Sequence, residues 1–591
     1  MSKHTLPRLN ALRNEMALHN IQAFIIPGTD PHQSEYYAEH WGCRTWISGF
    51  NGSAGTAVVT TDNAGLWTDS RYFLQADEQL ADSGFTLFKD GMPETPSIEA
   101  WLSSVLPAGS TVAIDGTLFS TTAVEKMIAF FELHGISLVT DFMPFDKIWQ
   151  DRPSLPDTPF FAHDLEYCGE NATSKIMRVM QAVEESGANA LLLSALDDIA
   201  WIYNIRGRDV NYNPMTYAYA YIDNVRRILF VDSKKLNEEN MTHLRTIGVE
   251  QMPYEEVFDF ATSLRDKKVS INPAKLNYTL YNNLNTATIR EDGPIAMFKA
   301  IKNEVQIAGM RRAMVRDGVA LVRFFRWLDS SIDAGKATEM SAAQQLRQFR
   351  AEQNLFVDES FGTICGYNEH GAIVHYSATP ESDATIRRKG FLLVDSGAQY
   401  LDGTTDITRT VALGTPTPQQ KRDFTLVLKG HIALSRCQFP EGTRGAQLDA
   451  IARMPLWKDG LTYLHGTGHG VGQFLNVHEG PQSIRLQENP TPLVPGMITS
   501  NEPGLYRAGD YGIRHENLIL TVPAQETEFG KFYCFEPLTL FPFDKQALDM
   551  TIMQPHEIAW LNDYHRMVYD RLKSSLTSDE CEWLREATSA I

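Results

Sequence analysis

The sequence predicts an α/β chain built as two related α/β domains followed by a larger α+β domain. Three observations carry that expectation. At 591 residues the chain is too long for one hydrophobic core and corresponds to about three to four domains of ordinary size. Its N-terminal half holds two blocks that repeat one order of strand and helix signals. Its last third holds five residues of metal-ligating type, Asp395, Asp406, His469, Glu502 and Glu516, at positions that ordinary surface charge does not explain.

The first block runs from the apolar stretch Ile21 to Pro27 through Asp30 and Trp46-Ile47-Ser48-Gly49-Phe50 to a strand ending at Asp62-Asn63, then Gly65 to Ser70. The second follows the same order with Ala190 to Leu193, Asp198, Trp201 to Gly207, Ala218 to Asn224, and Ile228 to Ser233. Strands alternate with helical patterns such as Thr95 to Leu106, where Thr95 is expected to cap and Pro96 to open the first turn, and Ser174 to Ser186. Pro153, Pro156 and Pro159 interrupt regular structure and mark a first boundary. A second falls near Ala296, before the long helical pattern from Lys302 through Val315 to Ile332. The expected domains are residues 1–152, 153–296 and 297–591. The segment Phe535 to Phe543 and the aromatic-rich helix pattern Glu557 to Leu572 are expected to cover the third domain.

With 43% hydrophobic and 21% charged residues the composition is that of a soluble globular protein. No apolar run approaches the roughly 18 residues of a membrane span, and the start leads into an amphipathic helix pattern rather than a signal peptide, so a cytoplasmic protein with no membrane partner is expected. Cys43, Cys168, Cys365, Cys437, Cys534 and Cys581 show no paired spacing and are expected to be reduced. A formal net charge of −20 argues against nucleic acid as a partner, because a phosphate footprint needs clustered Lys and Arg.

Asp395 lies in the strand-forming run Phe391-Leu392-Leu393-Val394-Asp395, where a carboxylate is costly to bury unless a cation or several donors receive it. Asp406 follows the turn-rich Leu401 to Thr405, so a hairpin folds it back beside Asp395. Glu502, in Asn501-Glu502-Pro503-Gly504, and Glu516, in Arg514-His515-Glu516-Asn517, form a second pair on extended segments. Between the pairs, His465-Gly466-Thr467-Gly468-His469-Gly470-Val471-Gly472 offers an imidazole, and its glycines are expected to let the backbone approach a bound ion or substrate. Four clustered carboxylates stay ionised together only when comparable positive charge is bound among them, which two divalent ions supply. Four carboxylates and one imidazole form a mostly hard ligand set that suits Mn²⁺, with Co²⁺ and Zn²⁺ also compatible. Arg514, two residues before Glu516, is placed to orient a ligating carboxylate, with Tyr506 a weaker candidate for that task.

The order and spacing of these five residues, with HGTGHG, NEPG and GIRHEN around them, closely resemble the pita-bread metallopeptidases. Within that group Gly371 to Thr379, Val394 to Tyr400 and Phe474 to Pro481 resemble the long, three-domain form of the Xaa-Pro aminopeptidases, with two creatinase-N-like domains ahead of the catalytic one; the likeness covers essentially the whole chain. The resemblance implies release of the first residue from peptides with proline second, by attack of a metal-bridging hydroxide. It implies that Asp406 and Glu516 bridge two metals, that Asp395 holds one, and that His469 and Glu502 complete the other, with Glu502 also taking the proton of the water. It places His375 and His478 near the reacting peptide and His465 near the proline. It also implies a homodimer, for which the exposed-looking Arg453 to Lys458 is one candidate surface. A prolidase acting on Xaa-Pro dipeptides shares the five ligands and is the nearest alternative; a non-catalytic pita-bread peptide-binding protein is the other.

Overall fold

The computed structural model describes residues 4–591, which fall into two compact units. One runs up to Asp164 and from Glu170 to Ala296; the other comprises Leu165–Gly169 and Met297–Ile591.

The first unit holds two six-stranded sheets. The first is formed by β1 (Ala23–Pro27), β2 (Thr56–Thr60), β3 (Ala64–Thr68), β4 (Thr86–Lys89), β5 (Thr111–Ala113) and β6 (Ser137–Val139), in the order β4-β3-β2-β1-β5-β6. The second is formed by β7 (Ala190–Leu193), β8 (Ala218–Asp223), β9 (Arg227–Val231), β10 (Glu250–Met252), β11 (Lys268–Ile271) and β12 (Ala287–Arg290), in the order β10-β9-β8-β7-β11-β12. The two orders are identical. So are the directions: in each sheet the first three strands of the chain order pair antiparallel in succession, and the pairs on either side of them are parallel. The repeat read along the sequence is therefore one supersecondary plan used twice. Both faces of the first sheet are covered, because Phe24 and Ile26 of β1 enter one core while Ala23 and Ile25 enter the other. The helix expected from Thr95 begins later, at Ile98, and runs to Val105; Ser97 caps it by accepting from Ala100 N, the orphan amide three residues on. Asp30 is fully buried and accepts from Tyr217 at 3.0 Å, while His32 meets Ser194 O at 2.6 Å and Tyr254 at 2.7 Å. Burial lowers His32 to about 4, so this contact between the two sheets is made by a neutral imidazole.

The second unit opens with helix α1 (Glu304–Asp333), started by a capping box in which Asn303 and Gln306 satisfy each other's backbone amides. Helix α2 (Glu339–Ala351) follows, then an antiparallel sheet of β13 (Ile364–Tyr367), β14 (Phe391–Ser396) and β15 (Ile407–Ala412). Helices α3 (Pro418–Ser435) and α4 (Gly445–Trp457) lead to β16 (Ile498–Asn501), the hairpin β17 (Gly504–Arg507) and β18 (Tyr511–Arg514), and the long strands β19 (Asn517–Thr527) and β20 (Gly530–Pro537). Strands and helices share one apolar core, to which α5 (Pro555–Leu572) adds Leu561, Tyr564, Val568 and Leu572. The C-terminal segment covers the domain through a buried cation. Arg409 on β15 donates to Phe541 O at 2.6 Å, Pro542 O at 3.1 Å, the Tyr564 hydroxyl at 3.1 Å and Asn517 at 2.8 Å, and lies 4.0 Å from the Phe543 ring. The six cysteines are free thiols, and no helix of the described residues is long and apolar enough to cross a membrane.

Candidate metal centre

Strand pairing brings the four carboxylates together. On β14 and β15, Asp395 stands opposite Thr408; Asp406, two residues before Thr408, shares that face. On β16 and β19, Asn501 stands opposite Asn517, so Glu502 and Glu516, the residues just beyond them, leave the ladder side by side. The two ladders are tied by Glu516 N, which donates to Thr408 O at 3.1 Å. Asp395, Asp406 and Glu516 are 7%, 3% and 1% exposed, so none is an ordinary surface acid.

His469 completes the cluster from the glycine-rich loop. Its Nδ1 lies 2.9 Å from Gly470 O, which requires the proton there and leaves Nε2 facing the carboxylates, 3.4 Å from Asp406 Oδ2 and 3.5 Å from Glu502 Oε1. Ser500 Oγ accepts from His469 N at 2.9 Å and donates to Glu502 Oε1 at 3.1 Å, fixing both ligands with one hydroxyl. Asp406, His469 and Glu516 offer ligand atoms within 4.8 Å of one another.

The electrostatics call for cations. Burial raises Asp395 against the pull of Arg514, and burial with Asp406 and Glu502 nearby raises Glu516 well above the ordinary carboxyl range. Burial likewise pushes Glu502 up to about 7. For His469 burial acts downward, but the hydrogen bond to Asp406 and the charge of Glu502 outweigh it and raise the imidazole to about 9. Asp395 Oδ1 is buried with no hydrogen-bond partner among the described residues, a costly state that a cation would relieve. Four carboxylates, one of them with an orphaned oxygen, and one imidazole nitrogen fit a pair of divalent ions by donor type, charge and burial.

Around the ligands runs a chain of polar contacts. Arg514 donates to Asp395 Oδ2 at 2.5 Å, to Thr408 Oγ1 at 3.1 Å and to the Tyr506 hydroxyl at 2.8 Å, and Tyr506 in turn meets His465 Nε2 at 2.8 Å. Thr408 Oγ1 passes the contact on, donating to Glu516 Oε2 at 2.7 Å. Arg514 thus orients Asp395 directly and Glu516 through Thr408. Thr408 was not singled out from the sequence, although a hydroxyl at i+2 from a ligand on a strand shares its face. The His478 ring stands edge-on to His469, 4.4 Å between centroids. His375 is half-buried in the segment between β13 and β14, and its neighbour Val374 accepts from Arg514 at 3.4 Å.

Two expectations are corrected. A Cβ on Gly468 would lie 2.0 Å from Ser500 O, and one on Gly470 2.0 Å from Glu479 O, so at these two positions it is neighbouring backbone that requires glycine. Arg453 is not on the surface: it is 1% exposed, pairs with Asp449 at 2.5 Å and holds His465 O at 2.8 Å, while Met454 and Trp457 beside it are exposed.

Fold and site define a metallopeptidase. The model of metallopeptidase family M24 matches residues 308–523 and that of the C-terminal region of peptidase M24 residues 531–591, while models of the creatinase/prolidase N-terminal domain match 8–142 and 151–306. Aminopeptidase P2 of Arabidopsis thaliana is 41% identical over 97% of this chain and 86% of its own length. A probable Xaa-Pro aminopeptidase P of Laccaria bicolor is 41% identical over 100% and 94%. Among solved structures, X-prolyl aminopeptidase from Caenorhabditis elegans, described as a cytosolic enzyme with a di-nuclear active site, superposes with a TM-score of 0.95 at 35% identity, covering 99% of this chain and 100% of that one. The chain belongs to the Xaa-Pro aminopeptidase P family of M24 metallopeptidases.

Proposed function

We propose that this enzyme releases the N-terminal residue from peptides whose second residue is proline. The observation that carries the reading is the full-length similarity, N-terminal domains included, to relatives named Xaa-Pro aminopeptidase; the gathering of Asp395, Asp406, His469, Glu502 and Glu516 in one place supports it. The Xaa-Pro dipeptidase from Bacillus anthracis covers 63% of this chain at 24% identity with a TM-score of 0.52, a likeness of fold alone. We read the chain as three domains, 1–152, 153–296 and 297–591, working as a cytoplasmic homodimer.

Asp395, Asp406, His469, Glu502 and Glu516 would hold two divalent ions, Mn²⁺ by the hardness of the set, and these would supply positive charge that polarises the scissile carbonyl and acidifies the attacking water. Glu502, steadied at Oε1 by Ser500, accepts the proton of that water. His478, beside His469, and His375 donate to the oxygen on which negative charge develops. His465, fixed through Nε2 by Tyr506, lines the place of the proline ring. A tertiary amide offers no N–H, so a pocket that packs the ring and supplies no acceptor there selects it.

The test is hydrolysis of an Xaa-Pro-Xaa tripeptide beside an Xaa-Pro dipeptide and an Xaa-Ala-Xaa control, with Mn²⁺ and after chelation, and with Glu502→Ala alongside. Metal-dependent release of the first residue from the proline tripeptide, lost in the variant, supports the reading. Preference for the dipeptide moves it to a prolidase; no turnover with any divalent metal moves it to a peptide-binding protein.

A further inference from the structure

Glu339 opens helix α2 and is fully buried, a place where a carboxylate persists only if its lone pairs are filled. Its donors all come from one stretch of chain. Oε1 accepts from Tyr367 N at 2.7 Å and His370 Nδ1 at 2.9 Å; Oε2 accepts from the Tyr376 hydroxyl at 2.9 Å and Ala384 N at 3.1 Å. His370 and Tyr376 also stack on each other, 4.5 Å between centroids at 25°. Next to Glu339, Met340 N donates to Asp383 at 2.9 Å, so the start of α2 grips both ends of residues 367–384, the greater part of the segment that links β13 to β14.

His375 lies within that segment, and the residues on either side of it are anchored in different places. Val374 O is held from the metal centre by Arg514, and the Tyr376 hydroxyl is held by Glu339. We propose that Glu339 is a positioning residue for His375: its carboxylate fixes residues 367–384 as one body, and so sets where the His375 imidazole meets the peptide. The inference rests on the reading of His375 as a donor to substrate. A glutamine in this place has the same shape but only one carbonyl oxygen, and its amide N–H groups would face either the Tyr367 amide and His370 Nδ1 or the Ala384 amide and the Tyr376 hydroxyl. The segment would then have to shift, and displacements of this order cost up to about 100-fold in rate when they misplace a reacting group.

The experiment is a double-mutant cycle on the full-length, metal-loaded protein with a proline tripeptide: wild type, Glu339→Gln, His375→Ala and the double variant, with kcat, KM, bound metal and Tm measured on each. The expected result is a kcat loss of about 10- to 100-fold in Glu339→Gln with metal content retained, and a double variant no slower than His375→Ala alone. A loss that multiplies with that of His375→Ala, or no loss at all in Glu339→Gln, overturns the proposal. If His375→Ala itself keeps wild-type kcat, the reading of His375 fails and the proposal falls with it, a result distinct from multiplying losses. Should Glu339→Gln not fold, Tyr376→Phe, which removes one of the donors, takes its place; its loss must likewise vanish when His375 is alanine.

Discussion

Arg514 Nη2 lies 2.5 Å from Asp395 Oδ2, and both side chains are almost wholly buried. Asp395 therefore has one oxygen committed to a guanidinium, and Oδ1, which has no hydrogen-bond partner among the described residues, is the one available to a cation.

That division predicts the effect of Arg514→Lys. Lysine keeps the charge but cannot reach Asp395, Thr408 and Tyr506 from one planar group. Metal affinity and kcat/KM are expected to fall by roughly 10- to 100-fold, as is usual for partners that orient ligands. Calorimetric titration of the metal-free variant with Mn²⁺ checks the first and steady-state kinetics the second; unchanged affinity would remove Arg514 from the centre.

Tyr506→Phe should separate two roles. The hydroxyl joins Arg514 to His465, and the ring stands 5.5 Å from that of His465 and packs against buried Ile364, Tyr376 and Leu393. Metal content is expected to stay near wild type, while KM for proline tripeptides rises by about 10-fold, the equivalent of one hydrogen bond of about 1.4 kcal/mol. A fall in kcat with KM unchanged would place His465 at the reacting bond instead.

The metal-free protein should lose stability as pH rises. Glu502 is raised from 4.5 to about 7 and His469 from 6.5 to about 9 in the folded state. A group whose folded pKa is raised contributes stability that is fully present below its unfolded value and disappears as pH passes the folded one. Both groups act in the same sense, so the Tm of chelated protein should decline from about pH 5 to about pH 9. Metal must displace these protons, so the gain in Tm on adding Mn²⁺ should grow over the same range. A chelated protein whose Tm climbs toward pH 9 would contradict this account.

Arg409→Met tests the attachment of the C-terminal segment. The substitution removes the donor shared by the carbonyls of Phe541 and Pro542 and the side chains of Asn517 and Tyr564, leaving Phe541 O and Asn517 with the Tyr564 hydroxyl alone. With about 1 kcal/mol for each hydrogen bond lost, a loss of at least ~3 kcal/mol in chemical denaturation is expected.

Much of this was legible along the chain. The five candidate ligands stand out because a carboxylate in or beside an apolar strand needs a counter-charge, and the two N-terminal sheets because one order of strand and helix signals recurs. Other features depend on contacts that no local pattern reports. Glu339 reads as an ordinary acid in the first turn of a helix, a common and bland placement, and only the fold brings Tyr367, Tyr376 and Ala384 to it. Arg453 reads as surface charge because its partner Asp449 lies one helical turn away on a helix whose exposed face could not be told from the sequence. Thr95 and Ser97 are both competent caps, and only the geometry of the chain decides between them.

The crowding at Gly468 and Gly470 bears on how variation in this enzyme is to be interpreted. With the backbone of Ser500 and of Glu479 where any side chain would begin, even alanine forces the strands apart beside His469. A saturation scan scored by growth or turnover would show both positions as intolerant as the candidate ligands, though neither carries a side chain. Intolerance in this loop is thus a record of clearance as well as of chemistry, and metal binding measured on purified variants is what tells the two apart.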